Sequence, residues 1–377
     1  MSQNLRMHRV FPTNKRVSIG ENENIDFELS FPNRKLICNS LRIEGKILVY
    51  STGNTRTVMT NDIFVDNLVG AHSFIETYET SSSNKGVVEY FSNAPRYHKM
   101  VVSGSNTVED MANLSNTCEL KSQSLQLSRN VFFGNVNADQ AIPNPNTSDA
   151  QSFSMKPMFI LNQVQRGVAN GSVNLDFETM GDIRISCRTA KNNDALFGTD
   201  SDNNVRYELS EISLCFHSVP SDGKQDPLVM RTKQCVRQSV QSSNGTVSVN
   251  VPMLSNGCSI SMIRQSQLNS NRYNTLKLDR PPNVSQVQFL INDSPSDFLA
   301  YQLRSENEIL KHYLDSISNS DLNDFSQSKI KANQAYGLGI NFMSLLDLSR
   351  DRFGVNVQSA IAEPYLLYLF FHGVVQV

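Results

Sequence analysis

The sequence predicts an all-β fold built from two antiparallel sandwiches, and three observations carry that expectation. Apolar and polar residues alternate in many short runs, turn-forming clusters of Gly, Pro, Asn and Ser separate those runs, and few stretches carry helix-start chemistry. At 377 residues the chain also exceeds what one hydrophobic core usually holds, so two domains are expected. With one or two short helices per half, the strand count suits eight-stranded jelly rolls. The expected organisation is an N-terminal arm at 1–35, a jelly-roll domain at 36–219, a linker at 220–228 and a second β-sandwich or jelly-roll-like domain at 229–377.

Residues 1–20 contain Arg6, Arg9, Lys15 and Arg16 and no acid. They read as a basic arm that lies against phosphates or an acidic neighbour, or else as a frayed tail. Between Leu36 and Tyr50, positions 41, 43, 47 and 49 are apolar with one parity while Arg42, Glu44 and Lys46 take the other, which predicts a strand with one buried face. Further strands are expected over 63–79 and 86–91, in a meander or a sandwich edge. Arg96, Tyr97, His98 and Lys99 follow Pro95 directly after such a strand. Because Arg and Tyr are enriched at interfaces, this quartet is a candidate contact surface for a neighbouring subunit, the alternative being a solvated loop held by Pro95. A capping signal at Thr107 predicts a brief helix, and 135–157, with Pro143 and Pro145, a long exposed loop. Two alternating runs, at 173–177 and 183–187, flank a turn at 179–182.

The stretch from Val205 to Pro220 alternates at 205, 207 and 209 and then at 212, 214 and 216. One slip of parity in a long strand predicts a β-bulge. Pro220, Gly223 and Pro227 then end the ladder and mark the joint between the halves. Beyond it, 247–251 and 260–262 read as a hairpin-like pair and 284–291 as another strand, while Gly337-Leu-Gly339 reads as a turn. Ser305 and Glu308 form a capping box ahead of Ile309, Leu310, Tyr313, Leu314 and Ile317, predicting a helix packed across the end of a barrel. The segment Leu366–Val377 is apolar on both faces, so it is expected as a central strand that closes its domain.

Thirty-four basic against 36 acidic side chains give a net charge of −2, which excludes a broad electrostatic footprint for nucleic acid. Six scattered cysteines without a C-x-x-C pair read as reduced, mostly buried thiols. No apolar signal-peptide core precedes Arg16, and no run of eighteen apolar residues predicts a membrane helix. The six histidines are too dispersed for a local zinc motif. Asp200, Asp202, Asn204 and Glu211 match part of a calcium-loop template, but Val205 stands where the loop needs glycine. Nucleophile elbows, phosphate loops and dinucleotide fingerprints are absent from the sequence. No catalytic, cofactor-binding or metal-binding residue is therefore expected, and no enzyme.

In order along the chain, Leu41–Val49, Ala71–Ile75, the helix signal near Val108, Gly181–Ser186 and Tyr207–Leu214 resemble the jelly-roll capsid proteins of small double-stranded DNA viruses. The likeness is nearest to the penton, or minor capsid, protein of virophages. That resemblance implies a non-enzymatic, cofactor-free shell component in the virion, made in the host cytoplasm at a viral factory. It further implies a homopentamer at the five-fold vertices that contacts the major capsid protein, touches genome or an inner membrane through its N-terminal arm, and takes no small-molecule substrate. A double jelly-roll major capsid protein forming trimers and a receptor- or glycan-binding spike stand as alternatives. The completeness of strands on each side of the joint favours a tandem arrangement, in which the last strand pairs within 229–377, over an inserted one, in which it would pair with Leu41–Val49.

Overall fold

The computed structural model describes residues 4–52, 56–57, 63–105, 151–165, 174–198, 205–224, 229–240, 244–268, 273–278, 284–295, 302–318, 326–332, 335–359 and 364–376. Every strand pairing among them is antiparallel, and apart from the short pair Ile63–Phe64 with Phe197–Gly198 the strands form two sandwiches with few helices. In the first, one sheet runs Gln151–Met155, Arg42–Thr52, Val205–Pro220, Arg34–Ile37, Asn174–Asp176, with Arg6–Val10 and Ser18–Ile19 added to Val205–Pro220. The facing sheet runs Asn24–Leu29, Ile183–Thr189, Ile75–Ser82, Gly86–Ser92. In the second sandwich, Val164–Gln165, Val229–Val240, Tyr365–Gln376, Leu254–Arg264 and Leu338–Asp347 form one sheet. Asn244–Val249, Phe353–Ser359, Val284–Ile291 and Gln302–Leu303 form the other.

The parity slip in Val205–Pro220 is a bulge. Ser210 pairs with Lys46 and Ser213 with Glu44, so Glu211 and Ile212 together stand opposite Gly45. Glu211 takes φ 51°, a left-handed conformation that a side chain resists, and its carboxylate meets Lys46 at 2.7 Å. Ile212 turns inward over Gly45, where a Cβ would lie 2.4 Å from Ile212 Cδ1 and 3.0 Å from the Ser210 carbonyl. Glycine is what lets the bulge close on its partner strand.

The last strand, Tyr365–Gln376, lies between Val229–Val240 and Leu254–Arg264, so it pairs within the second sandwich as a tandem arrangement requires. Its two faces belong to different cores. Tyr365, Leu367, Leu369 and Phe371 pack into the second sandwich, while Leu366, Tyr368 and Phe370 join a cluster continuous with the first. The sheet containing this strand is therefore a wall shared by both bodies.

Several expectations are corrected. Residues 6–10, 18–19, 24–29 and 34–37 are strands of the first sandwich, not a separate arm over 1–35. The start of the joint is also held: buried Lys35 contacts Asp222 and the Lys224 carbonyl and lies 4.0 Å from Asp176. The runs at 174–176 and 183–189 enter opposite sheets, because a four-residue helical turn, Phe177–Met180, carries the chain across the sandwich. Likewise 244–249 and 254–264 face each other across the second sandwich and do not form a hairpin. The 151–155 part of the expected long loop is a strand paired with Arg42–Thr52. Residues 135–150 and the helix expected at Thr107 lie outside the described residues. Gly337 and Gly339 are not a turn: Gly337 directly precedes and Gly339 lies within the strand Leu338–Asp347 beneath the helix Glu306–Ser318, and a Cβ at Gly337 would meet the Tyr313 ring at 2.5 Å.

That helix starts with the expected reciprocal cap. Ser305 Oγ accepts from the Glu308 amide at 3.2 Å, and Glu308 Oε2 accepts from the Ser305 amide at 3.1 Å. Ile309 faces the second core, whereas Leu310, Tyr313 and Ile317 face the shared cluster, so the helix packs along the seam between the sandwiches.

Candidate functional site: the seam between the sandwiches

The quartet Arg96, Tyr97, His98 and Lys99 lies at this seam, inside the chain. Asn93, at φ 56°, turns the strand Gly86–Ser92 into the helix Ala94–Ser105, and Pro95 falls in the first turn, where a missing amide proton costs nothing. All four side chains are buried, so the expected surface for a neighbouring subunit is corrected to an internal interface. The Arg96 guanidinium lies 4.2 Å over the Tyr368 ring and donates to the backbone carbonyls of Thr275 and Lys277. Tyr97 packs edge-on to Phe91 at 5.5 Å and tilted against Phe370 at 5.3 Å. The His98 ring stacks on His72 with centroids 3.8 Å apart. Lys99 forms a buried ion pair with Asp66, whose other oxygen accepts from the Leu68 amide at 3.0 Å. Such a pair contributes little net stability, yet removing one partner strands a buried charge.

The second sandwich answers with Lys233 and His372. Lys233 Nζ donates to the Met158 carbonyl at 3.1 Å and lies 5.2 Å from the centres of the Phe91 and Tyr97 rings. Nearby Glu89 accepts from the Ile160 amide at 2.6 Å; burial pushes its carboxyl well up, with Lys233 opposing. Burial first, then Lys233, pushes His372 down to about 3, so its imidazole is neutral at physiological pH. Its Nε2 lies 2.8 Å from Ser259 Oγ and its Nδ1 3.5 Å from the Tyr97 hydroxyl. A serine at that distance from a histidine has the spacing of a nucleophile and its base. Here both are buried, and Ser259 also meets Ser316 at 3.0 Å, so the contact ties three elements together inside the chain.

Beside this network a cleft of about 760 Å³ opens between the sandwiches, lined by charged groups including Glu21, Glu76, Arg96, Asp194 and Arg237. Glu76 is pushed up to about 7, first by burial and then by Asp194. Burial likewise raises Asp194. Among the described residues no group of three or more His, Cys, Asp or Glu side chains is placed to hold a metal ion. Positions 200–204 of the calcium template lie outside the described residues, and Glu211 is engaged at the bulge. Cys38, Cys187, Cys215, Cys235 and Cys258 are free thiols, and burial pushes Cys38 up to about 12. No described helix is long and apolar enough to cross a membrane.

The cations of the expected basic arm are distributed differently from the sequence expectation. Arg6 and Arg9 lie on a strand paired with Val205–Pro220, Arg9 meets Glu44 at 2.7 Å and Arg16 meets Glu23 at 2.6 Å, while Lys15 is exposed. Neither acid lies within residues 1–20, so the sequence of that stretch alone could not reveal the compensation.

No protein-family model matches the chain, and no curated protein matches it. Solved structures do. The Faustovirus major capsid protein superposes with a TM-score of 0.63 at 9% identity, over 100% of this chain and 90% of that one. The PBCV-1 protein VP54, fitted into a reconstruction of the virophage Sputnik, gives 0.61 at 8% identity over 100% and 95%. A chain of the Sputnik virophage itself gives 0.55 at 10% identity over 99% and 86%. At these identities the likeness establishes the fold alone: the described residues have the jelly-roll architecture that these structures share.

Proposed function

We propose that the chain is a structural subunit of an icosahedral virion shell, and that it assembles as a trimeric, double jelly-roll major capsid protein. The observation that carries this reading is the full-length superposition on the Faustovirus major capsid protein. The shared wall supports it, because two sandwiches locked by a common core present one rigid block, and three such blocks place six sandwiches around an axis. The buried Ser259 and His372 serve packing and carry no reaction. The virion capsid is then its location, after synthesis in the host cytoplasm, and further capsid proteins are its partners.

The pentameric vertex role implied by the resemblance to virophage pentons uses the same sandwich fold and differs in copy number. Native mass spectrometry of the assembled protein separates them. A mass of three 42.2 kDa chains is expected. Five would replace the trimer with the vertex subunit, and a chain that remains monomeric at high concentration and joins no particle would end the capsid reading.

A further inference from the structure

Among the described residues, six of the eleven large apolar side chains left exposed lie at two places, three on each sandwich. The first is the strand Arg6–Val10 and its flanks. Leu5, Met7, Arg9 and Phe11 share one parity; His8, on the other, packs on Phe216 and Phe31. Met7 is 61% and Phe11 65% exposed. The strand pairs only with Val205–Pro220, so among the described residues its outer edge is open. Native edges are usually blunted, and an open edge beside exposed apolar groups is a template for another strand.

The second place is the strand Leu338–Asp347, which ends its sheet. Gly257 pairs with Asn341 and Ser255 with Leu346, so four residues, 342–345, stand opposite Asn256 alone. Met343, at φ 58° and 82% exposed, is driven outward by this bulge, with Leu345 and Leu254 exposed beside it. The two patches differ in charge. At the first, Arg9 and Arg16 are paired with Glu44 and Glu23, which leaves the exposed Arg6 and Lys15 as its positive charges; at the second, Asp347 is paired with Arg350 at 3.3 Å, which leaves Asp351 as its negative charge. Asp347 is held below the usual carboxylate range, first by Ser349, and so stays charged.

We infer that the N-terminal edge of one copy docks on the bulged 338–347 edge of the next, giving a head-to-tail contact between copies of this chain. The inference rests on the assembly reading above and names the surfaces it uses. Two different, mutually complementary patches on one chain generate a heterologous interface, which closes into a ring when the rotation allows. Apolar side chains at the centre with charges at the margin follow the ordinary anatomy of such interfaces.

Two full-length variants test it: Met7→Asp with Phe11→Asp, and Met343→Asp with Leu345→Asp. Circular dichroism and thermal melting first confirm that each folds; should either fail, the corresponding Ser substitutions at these positions carry the same comparison. Each variant alone is expected to associate at least ~10-fold more weakly than the wild type. An equimolar mixture is expected to form a one-to-one dimer, since one intact patch of each kind remains. If either variant keeps the wild-type oligomer, or the mixture stays monomeric, the contact is overturned while assembly itself stands. A wild-type chain that never assembles overturns both this contact and the shell function.

Discussion

Phe370 and Phe371 are adjacent, equally buried and chemically identical, yet they face different cores, which makes them a matched test of the shared wall. Phe370 packs against Tyr97 at 5.3 Å and Phe91 at 6.4 Å, both from the first sandwich. Phe371 packs against Phe353 at 5.4 Å, within the second. Truncation to alanine removes the same atoms in each case and costs about 3–5 kcal/mol in transfer and cavity terms. Urea unfolding should therefore show similar global losses. Amide hydrogen exchange should separate them. With Phe370→Ala, opening of the seam becomes easier by about that amount, so amides of Ala94–Ser105 and Gly86–Ser92 should exchange on the order of 100-fold faster or more. With Phe371→Ala those amides should be unchanged, and the acceleration should fall on Asn244–Val249 and Phe353–Ser359. Equal acceleration of Ala94–Ser105 by both substitutions would refute the assignment of two cores to the two faces of one strand.

Glu76, pushed up to about 7 from 4.5, binds its proton more tightly in the folded chain than in the unfolded one. Its contribution to stability is fully present below about pH 4.5 and is lost as pH rises through about 7, so wild-type melting temperature should fall across that window relative to Glu76→Gln. Glu89 is common to both proteins and cancels; parallel melting curves would sink the idea. Gly45→Val forces Ile212 off its site and crowds the Ser210 carbonyl, which should cost about 1–3 kcal/mol or more in urea unfolding, with Ile212→Ala relieving part of it. If the valine variant matches wild type, the bulge is not closed on that glycine. Ser305→Ala removes one half of the reciprocal cap and should cost about 1 kcal/mol, read as faster exchange through the first turn of Glu306–Ser318.

What the sequence disclosed was local. The slip of parity between Leu209 and Ile212 located the bulge because a two-residue period shows any extra residue at once. Ser305 and Glu308 announced their helix because both partners of the cap lie three residues apart. The misread features all have partners far along the chain. Arg96 looks like a surface residue until the Thr275 carbonyl and the Tyr368 ring are beside it, and Lys99 until Asp66 is. Arg9 looks free until Glu44 is found on the neighbouring strand. Alternation also assigns a face without assigning a partner, which is why 244–249 looked like half of a hairpin although its ladder is with Phe353–Ser359.

One signal in the sequence did reach beyond its own neighbourhood. A strand of an antiparallel sandwich ordinarily has one wet face, so a terminal strand that is apolar on both requires a third layer against its outer side. Leu366, Tyr368 and Phe370 are that outer row, and the helix Ala94–Ser105 with the strand Gly86–Ser92 is the layer that covers it. The buried quartet follows from the same requirement. An apolar row meeting a helix that also carries Arg96 and Lys99 buries those charges with it, so each needs a fixed partner, and Tyr368 with Asp66 supplies them. The pairing of residues about 270–280 positions apart, Arg96 with Tyr368 and Phe91 with Phe370, thus follows from a strand whose outer row, Leu366, Tyr368 and Phe370, needs covering.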